Sequence, residues 1–293
     1  MEPTREVHAE APISLHQLPD ALKLIKAGKV YSLDSRRWNL MPVPDPHPPF
    51  QVLTYRTYRG IQNQGDQTWL GNNTVNMAFN SDLVMGTVHS GTHLDALSHV
   101  TCGEDNHWHG GRSADRYLGD FGALDSDGAA IPPIITRGVL IDVAAALELP
   151  VLPARYPITV ADMENALKRQ GTSVGRGDVV LFRTGYMSLW PDRQRLAEHF
   201  GSGITIEVAR HLSNLDVQVV GADSVGLEVL PSLDPQNPHP VHIELLINRG
   251  IYIMEYANLE QLSKDRVYEF FFVCLPLKIH GTTGSMVNPV AIV

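Results

Sequence analysis

A short run of metal-binding side chains, residues 89–99, constrains this sequence more than any other stretch. It reads His-Ser-Gly-Thr-His-Leu-Asp-Ala-Leu-Ser-His, with imidazoles at His89, His93 and His99 and a carboxylate at Asp95. Imidazole and carboxylate groups are common protein ligands of divalent transition metals, and they also transfer protons. The ordered cluster therefore predicts a metal site. A purely structural role for the histidines is the alternative.

The spacing within this run requires a bend in the chain. On one continuous helix His89 and His93 share a face, but Asp95 points away from it. On one continuous strand every ligand shares a face, but the two ends of the run lie about 33 Å apart at roughly 3.3 Å per residue. Because neither geometry brings all the ligands to one ion, we place the bend at Gly91-Thr92. We predict that His89 ends a strand and that a turn or short helix begins at Thr92.

The run resembles the signature of the metal-dependent cyclase family, which includes bacterial kynurenine formamidases and isatin hydrolases. The shared pattern is His-x-Gly-Thr-His-x-Asp-x-x-x-His. Two later stretches, from His242 to Glu255 and from Pro276 to Ser285, are similar to further blocks of the same family. The resemblance covers residues 30–293, about nine-tenths of the chain.

The order of elements favours an α/β fold with a mixed sheet, because helices and strands alternate throughout. We expect residues 1–293 to form a single domain, with residues 1–30 as a loose arm followed by a helix. That helix is predicted to start near Ser14, to carry an apolar stripe of Leu18, Leu22 and Ile25, and to stop at Gly28. The resemblance implies a swivelling β/β/α fold, in which a barrel-like mixed sheet is flanked by helices.

Proline content identifies one long loop before the metal-binding run. Asn39–Phe50 contains five prolines, so it cannot form a regular element. A loop of this length in a compact protein is often functional. A surface segment without chemistry is the alternative.

Charge and composition exclude several classes of partner. The net charge of −9 and the lack of a basic cluster argue against nucleic acid and anionic membranes. We see no apolar run long enough to span a bilayer and no signal peptide at the N-terminus. Two cysteines, Cys102 and Cys274, do not form a disulfide framework. These features together predict a cytoplasmic protein.

The mechanism that the resemblance implies uses one divalent ion, Mn²⁺ or Zn²⁺. His89, His93 and Asp95 hold the ion and leave positions open for water and substrate. His99 stays off the metal and acts as the general base on the activated water, returning the proton to the leaving nitrogen.

Five further residues are candidates for the site. The resemblance implies that His242 and Glu255 either bind a second ion or complete the site through hydrogen bonds; a surface location is the alternative. Their spacing is one residue longer than in the compact formamidases. Trp108, His107 and His109 follow the motif closely and are candidates for the substrate pocket. The two histidines could also be extra ligands or exposed, and Trp108 could belong to the core.

The ligand set alone indicates only a metal-dependent hydrolase. The resemblance implies hydrolysis of a C–N bond in a small molecule, either a cyclic amide such as isatin or a formamide such as N-formylkynurenine. Lactone hydrolysis or a polyketide-type cyclisation would use the same ion as a Lewis acid. A catalytically silent metal-binding protein is the alternative outside enzymes. The resemblance also implies a homodimer or homotetramer.

Overall fold

A nine-stranded mixed sheet, curled into a half-barrel and flanked by helices, forms the framework of the protein. The computed structural model describes residues 18–65 and 71–293. In chain order the strands are β1 (Val30–Ser32), β2 (Gln51–Arg56), β3 (Ser81–Met85), β4 (His93–Asp95), β5 (His107–Trp108), β6 (Arg112–Ser113), β7 (Leu118–Gly119), β8 (Gly122–Ala123), β9 (Ile134–Asp142), β10 (Pro157–Ile158), β11 (Val179–Arg183), β12 (Gly203–Ile204), β13 (Val219–Ala222), β14 (Tyr252–Glu255), β15 (Glu269–Cys274), β16 (Gly284–Met286) and β17 (Val290–Ile292).

The helices lie between these strands, as the alternation in the sequence predicts. They are α1 (Leu18–Leu22), α2 (Tyr58–Gln64), α3 (Ala114–Tyr117), α4 (Val143–Ala146), α5 (Val160–Gln170), α6 (Arg193–Glu198), α7 (Ile206–Ser213), α8 (Pro240–His242) and α9 (Glu260–Asp265). A π-helical turn, Ile243–Arg249, continues α8. None of the helices in the described ranges is long and apolar enough to cross a membrane.

The main sheet has a parallel centre and antiparallel flanks. Its strand order is β1-β17-β15-β9-β11-β13-β14-β4-β16. The strands β9, β11, β13 and β14 are parallel, while β4 and β16 continue the sheet antiparallel beyond β14. The predicted α/β fold with a barrel-like sheet is thus confirmed.

Successive side chains of the central strands point to opposite faces of the sheet and so pack into two separate apolar clusters, one on each face. On β9, Val139 and Ile141 pack into the cluster that includes side chains of α5 and α7. Leu140 packs into the opposite cluster, with Phe270 and Phe272 of β15. Both faces of these strands are buried, which explains why their sequences read as continuous apolar runs.

The helix α5 shows how local sequence sets an element's limits. The Thr159 hydroxyl accepts the N–H of Asp162, and the Asp162 carboxylate accepts the N–H of Thr159. This reciprocal pair satisfies backbone donors at the first turn. Gly171 ends the helix with a φ of +68°. The capping pattern and the glycine stop in the sequence predict both ends.

The N-terminal helix ends earlier than the predicted stop at Gly28. The helix α1 ends at Leu22 and buries only Ala21 among its five residues. Leu22 and Ile25 are exposed, so the apolar stripe does not form a core face. The predicted arm and the helix start near Ser14 lie outside the described residues.

A buried ion-pair network connects the carboxyl end of β11 to its neighbours. Arg183 Nη1 donates to Asp142 Oδ1 at 3.0 Å, and Nε and Nη2 donate to the two carboxylate oxygens of Glu260, both at 2.9 Å. The Asp142 carboxylate is buried. Without Arg183 the Asp142 carboxylate would lose its ion-pair partner in a site closed to water.

We expect Arg183→Met to lower the free energy of unfolding by about 3–5 kcal/mol, because the change leaves a buried carboxylate unpaired. Urea denaturation followed by circular dichroism measures this loss. Arg176→Met is the matched control, since Arg176 pairs with Asp216 at the surface and should cost about 0–1 kcal/mol. Equal effects of the two changes would contradict the prediction.

Candidate metal centre

Gly91 makes the bend inside the metal-binding run. Its φ of +60° lies in the left-handed region, which glycine adopts without the clash that a Cβ causes. An added Cβ would also collide with Ser35 Oγ. The bend lies where the sequence places it, but the predicted elements on either side are wrong. β3 ends at Met85, so His89 does not end a strand, and no turn or short helix begins at Thr92. The chain enters β4 instead.

The strand β4 forms because two neighbouring strands offer it backbone partners. Leu94 lies opposite Met254 of β14 and opposite Ser285 of β16. Since side chains alternate along a strand, His93 and Asp95 share one face while Leu94 packs into the core on the other. Three residues are too few to show this alternation in the sequence.

Arg37 and Thr92 fix the backbone around the bend. Arg37 Nε donates to Ser90 O at 2.9 Å, and Arg37 Nη2 donates to Thr92 O. The Thr92 hydroxyl donates to Tyr256 O at 2.7 Å and accepts the Ser35 N–H at 2.9 Å. The ligand-bearing segment is therefore held from both sides.

The carboxylate of Asp95 is the centre of the site. The side chain is fully buried. Oδ1 lies 3.0 Å from His89 Nδ1 and 3.5 Å from His93 Nε2. The same oxygen is 4.0 Å from His99 Nε2, and Oδ2 is 3.7 Å from His242 Nε2. Four imidazoles thus surround one carboxylate.

Several buried polar atoms at this centre lack hydrogen-bond partners. Within residues 18–65 and 71–293, His89 Nδ1 and both carboxylate oxygens of Asp95 have none. Burying a carboxylate without such partners is strongly unfavourable. Imidazole nitrogen and carboxylate oxygen are ligands of Mn²⁺ and Zn²⁺. An ion held by these atoms would supply the missing interactions, so the residues present fit a metal.

The electrostatics keep Asp95 ionised. Burial by itself raises the pKa of Asp95, but the neighbouring His99, His89 and His93 hold that pKa well below its usual range. Burial lowers the pKa of His99 to about 4. At neutral pH His99 is therefore uncharged, and its free lone pair can accept a proton.

His99 lies directly beside the predicted ligands, closer than is expected for a base that stays off the metal. Its ring stacks on His89, with 4.1 Å between the ring centroids. Ligand atoms of His89, Asp95 and His99 form one group that spans at most 4.8 Å, and those of His93, Asp95 and Glu255 form another. The predicted ligand set of His89, His93 and Asp95 is thus divided between two groups that share Asp95.

His242 and Glu255 are buried beside the motif, so the surface alternative is wrong for both. Glu255 on β14 lies opposite His93 of β4 in the sheet, with 3.8 Å between Glu255 Oε2 and His93 Nε2. His242 Nε2 is 3.6 Å from Glu255 Oε1. Binding of a second ion by this pair stays a prediction.

A cavity of about 750 Å³ adjoins the cluster. Beside the cluster, its wall consists of two loop segments, residues 44–47 and 225–239, and of the single residues Arg155 and Phe200. The lining comprises His89, His93, His99, His242 and Glu255, then Pro44, Asp45, Pro46 and His47, then Arg155 and Phe200, then Val225, Gly226, Leu230, Pro231, Ser232, Asp234, Pro235, Pro238 and His239.

His47 is a cavity residue that sequence reasoning missed. It belongs to the proline-rich loop Asn39–Phe50, for which the sequence indicates a functional role without naming a residue. Its ring stacks on His89 with 5.0 Å between centroids, and Nδ1 lies 3.4 Å from Thr87 Oγ1. A single histidine among prolines is weak sequence evidence for a residue that lines the cavity.

Trp108, His107 and His109 do not line this cavity. Trp108 is buried at 2% exposure. His107 Nδ1 lies 2.7 Å from Asp105 Oδ1, and His109 Nδ1 lies 2.9 Å from Ile247 O. Only His109, in the turn between β5 and β6, contacts the π-helical turn. Proximity in sequence to the motif therefore does not bring these side chains to its cavity.

The glycine-rich turn near the C-terminus closes the site beyond β4. Thr283 Oγ1 lies 2.9 Å from His89 Nε2. A Cβ at Gly284 would lie 2.6 Å from Leu94 O and 3.0 Å from His89 Cε1. The strand β16 can therefore pair with β4 beside His89 only because residue 284 is a glycine.

Comparison with known proteins agrees with this geometry. A family model described as "Putative cyclase" matches residues 30–229. A crystal structure described as a novel cyclase is similar over 96% of this chain and 94% of its own, with a TM-score of 0.82 and 28% identity. A search of curated proteins found no match.

Two more distant structures share the fold. Isatin hydrolase A from Ralstonia solanacearum has a TM-score of 0.66 at 20% identity, over 97% of this chain and 98% of that one. A predicted metal-dependent hydrolase from Bacillus stearothermophilus has a TM-score of 0.56 at 22% identity, over 91% and 98% of the two chains.

The unpartnered atoms at Asp95 predict that the purified protein retains Mn²⁺ or Zn²⁺ after dialysis. We expect His93→Ala to lose this metal, because a ligand is removed from a buried site. Elemental analysis by mass spectrometry measures the ratio of metal to protein. His211→Ala, which changes an exposed histidine on α7, should leave the ratio unchanged. A wild-type protein that binds neither metal under any loading condition would contradict the prediction.

Proposed function

Because this chain belongs to the cyclase family, we propose that it is a metal-dependent hydrolase that cleaves a C–N bond in a cyclic amide or a formamide. The observation that carries the proposal is the buried, ionised Asp95 with its unpartnered oxygens among four imidazoles. Such a site suits a divalent ion next to a proton-transferring group. The similarity in fold to an isatin hydrolase supports amide hydrolysis.

Each side chain of the cluster has a role in this proposal. An Mn²⁺ or Zn²⁺ ion held by His89, His93 and Asp95 would polarise a carbonyl oxygen and lower the pKa of its water toward about 7. His99 takes a proton from the attacking water and delivers it to the leaving nitrogen. Burial, which lowers the pKa of His99 to about 4, makes the protonated ring a strong acid that gives the proton up readily.

The cavity fits a small, partly apolar substrate. Its volume of about 750 Å³ lies within the range of about 300–1,000 Å³ that is usual for small-molecule sites. Phe200, Val225 and Leu230 provide apolar contacts, together with several prolines of the two loops. We propose an isatin-like cyclic amide as the first substrate class and an N-formylkynurenine-like formamide as the second.

We expect the metal-loaded protein to hydrolyse at least one member of a panel of isatin, N-formylkynurenine and simple lactones. His99→Ala should keep the metal and lose about 10²- to 10⁴-fold in kcat, because general acid–base help of this kind is removed. Spectrophotometric assays give the rates, and elemental analysis of the same samples gives the metal content.

The matched control is again His211→Ala, which should keep the wild-type rate. A wild-type rate in His99→Ala would exclude His99 as the base. Loss of the metal in that variant would make His99 a ligand, in line with its grouping with His89 and Asp95. Turnover of lactones alone would replace the amide with an ester-like substrate. No turnover on any panel member would favour a silent metal-binding protein.

We also propose that the protein forms a homodimer or homotetramer. The strands β2 and β3 pair only with each other within the described residues, and apolar side chains on this ribbon are exposed. They include the opposed pairs Val52–Val84 and Leu53–Leu83. An isolated two-stranded ribbon is marginally stable in water, so a second copy of the chain packed against this ribbon would stabilise it.

We expect light scattering after size-exclusion chromatography to give a mass of at least twice the 32.3 kDa of one chain. The double change Val84→Ser and Leu53→Ser should shift the protein toward the monomer, because it removes apolar contact area from the ribbon. Leu149→Ser, on an exposed residue elsewhere, is the control. A wild-type monomer at all concentrations would rule out the proposal.

The free thiols of the chain agree with a reducing compartment. Cys102 and Cys274 are not bonded to each other. Unpaired cysteines are usual where thiols are kept reduced. We therefore propose a cytoplasmic location.

A further inference from the structure

Glu228 is a fully buried carboxylate that lies behind His242. Its Oε2 accepts the N–H of Val241 at 3.0 Å. Its Oε1 accepts the N–H of His242 at 3.4 Å and a short hydrogen bond from His242 Nδ1. His239 Nδ1 lies 3.2 Å from the same oxygen. Both carboxylate oxygens are thus occupied by donors from the start of α8.

The backbone on either side of Glu228 is fixed. Ile204 of β12 donates its N–H to Leu227 O at 3.0 Å and accepts the N–H of Val229 at 3.2 Å. Leu227 has a φ of +55°, a conformation that costs a branched residue free energy and that proteins keep mainly at functional sites. A Cβ at Gly203 would collide with Leu227 O. The chain therefore holds this carboxylate in one place.

The hydrogen bond to Glu228 determines what the other ring nitrogen of His242 can do. An ionised carboxylate only accepts hydrogen bonds, so His242 Nδ1 carries the proton that it donates to Glu228. The opposite nitrogen, Nε2, faces Asp95 Oδ2 at 3.7 Å and Glu255 Oε1 at 3.6 Å. The hydrogen bond at Nδ1 fixes the rotation of the ring and leaves Nε2 facing these two carboxylates.

We propose that Glu228 is a positioning residue, which holds the His242 ring by its Nδ1–H and thereby aims Nε2 at Asp95 and Glu255. The inference rests on the proposed hydrolytic function, since the aimed nitrogen serves the metal centre. Nothing in the metal-binding run indicates this residue, which lies more than 100 positions later in the chain. Removing such a carboxylate behind a site imidazole typically lowers metal affinity or activity about 10- to 100-fold.

Glu228 also accepts backbone N–H groups at the start of α8, so its structural contribution must be separated from positioning. Glu228→Gln keeps the shape of the side chain and one acceptor oxygen, but it replaces the other oxygen with an amide group that cannot accept. Glu244→Gln is the matched control, on the π-helical turn that continues α8. The Glu244 carboxylate is buried too, but it binds Ser213, Asn248 and Arg249 instead of a site histidine.

The first measurement is proton–nitrogen NMR of the imidazoles in the metal-free protein, which needs no turnover. The wild type should show a protected Nδ1–H signal at low field, assigned to His242 by its loss in His242→Ala. In Glu228→Gln this signal should move upfield or disappear, and in Glu244→Gln it should stay. An unchanged signal in Glu228→Gln would overturn the proposal, whether or not the protein is a hydrolase.

The second measurement is steady-state kinetics on the best substrate of the panel. Glu228→Gln should lower kcat about 10- to 100-fold with little change in KM, because the active-site cavity is not altered. A kcat that equals that of Glu244→Gln would overturn the proposal. If Glu228→Gln does not fold, Glu228→Asp takes its place, since it keeps the charge but withdraws it from the ring by one methylene. The same two outcomes then apply.

Discussion

The burial of one charged carboxylate, Asp95, is the constraint on which the rest of this structure depends. A carboxylate removed from water is costly by several kcal/mol unless charges or hydrogen bonds surround it. The chain meets this requirement by placing β4 inside the sheet, between β14 and β16. The neighbours that make β4 a strand are therefore the elements that bring Glu255 and Thr283 to the site. Fold and site are specified by the same pairing.

The segment from His242 to Glu255 shows how a sequence difference is absorbed without losing the site. The resemblance to the compact formamidases implies one extra residue between these two positions. Between them lies the π-helical turn Ile243–Arg249, whose wider hydrogen-bonded turns take up an extra residue that an α-helix would not. Since the turn widens locally, both side chains still reach Asp95 and His93.

The sequence predicts those parts of the structure that short-range chemistry decides. The capping pair Thr159 and Asp162 and the stop at Gly171 define α5, because each acts within one turn. The bend at Gly91 follows from the need to gather ligands on one ion. Apolar runs predict the central strands of the sheet, because strands buried on both faces need no alternation.

Other features depend on contacts that no local pattern records. The residues of β4 are a strand only because β14 and β16 flank them. His47 and Glu228 come to the site from loops on either side of the motif in sequence, and neither belongs to a run of ligand types. Conversely, Trp108 follows the motif within ten residues yet packs away from the cavity. Nearness in sequence to a metal motif is therefore a poor guide to the lining of its cavity.

The charges around the centre bear on how many ions it holds. Three buried carboxylates, Asp95, Glu255 and Glu228, meet there, and the pKa of Asp95 and that of Glu228 are lowered. Burial opposes a charge on His242, but the hydrogen bond to Glu228 and the nearby carboxylates of Glu255 and Asp95 raise its pKa well above its usual value. One divalent ion and one protonated imidazole would balance three negative charges. Two ions would leave an excess of positive charge in a buried site, unless a bound anion offset it. Unbalanced charge is costly away from water, and an ion bound at Nε2 of His242 would displace the proton there, so the number of ions determines the charge on this imidazole.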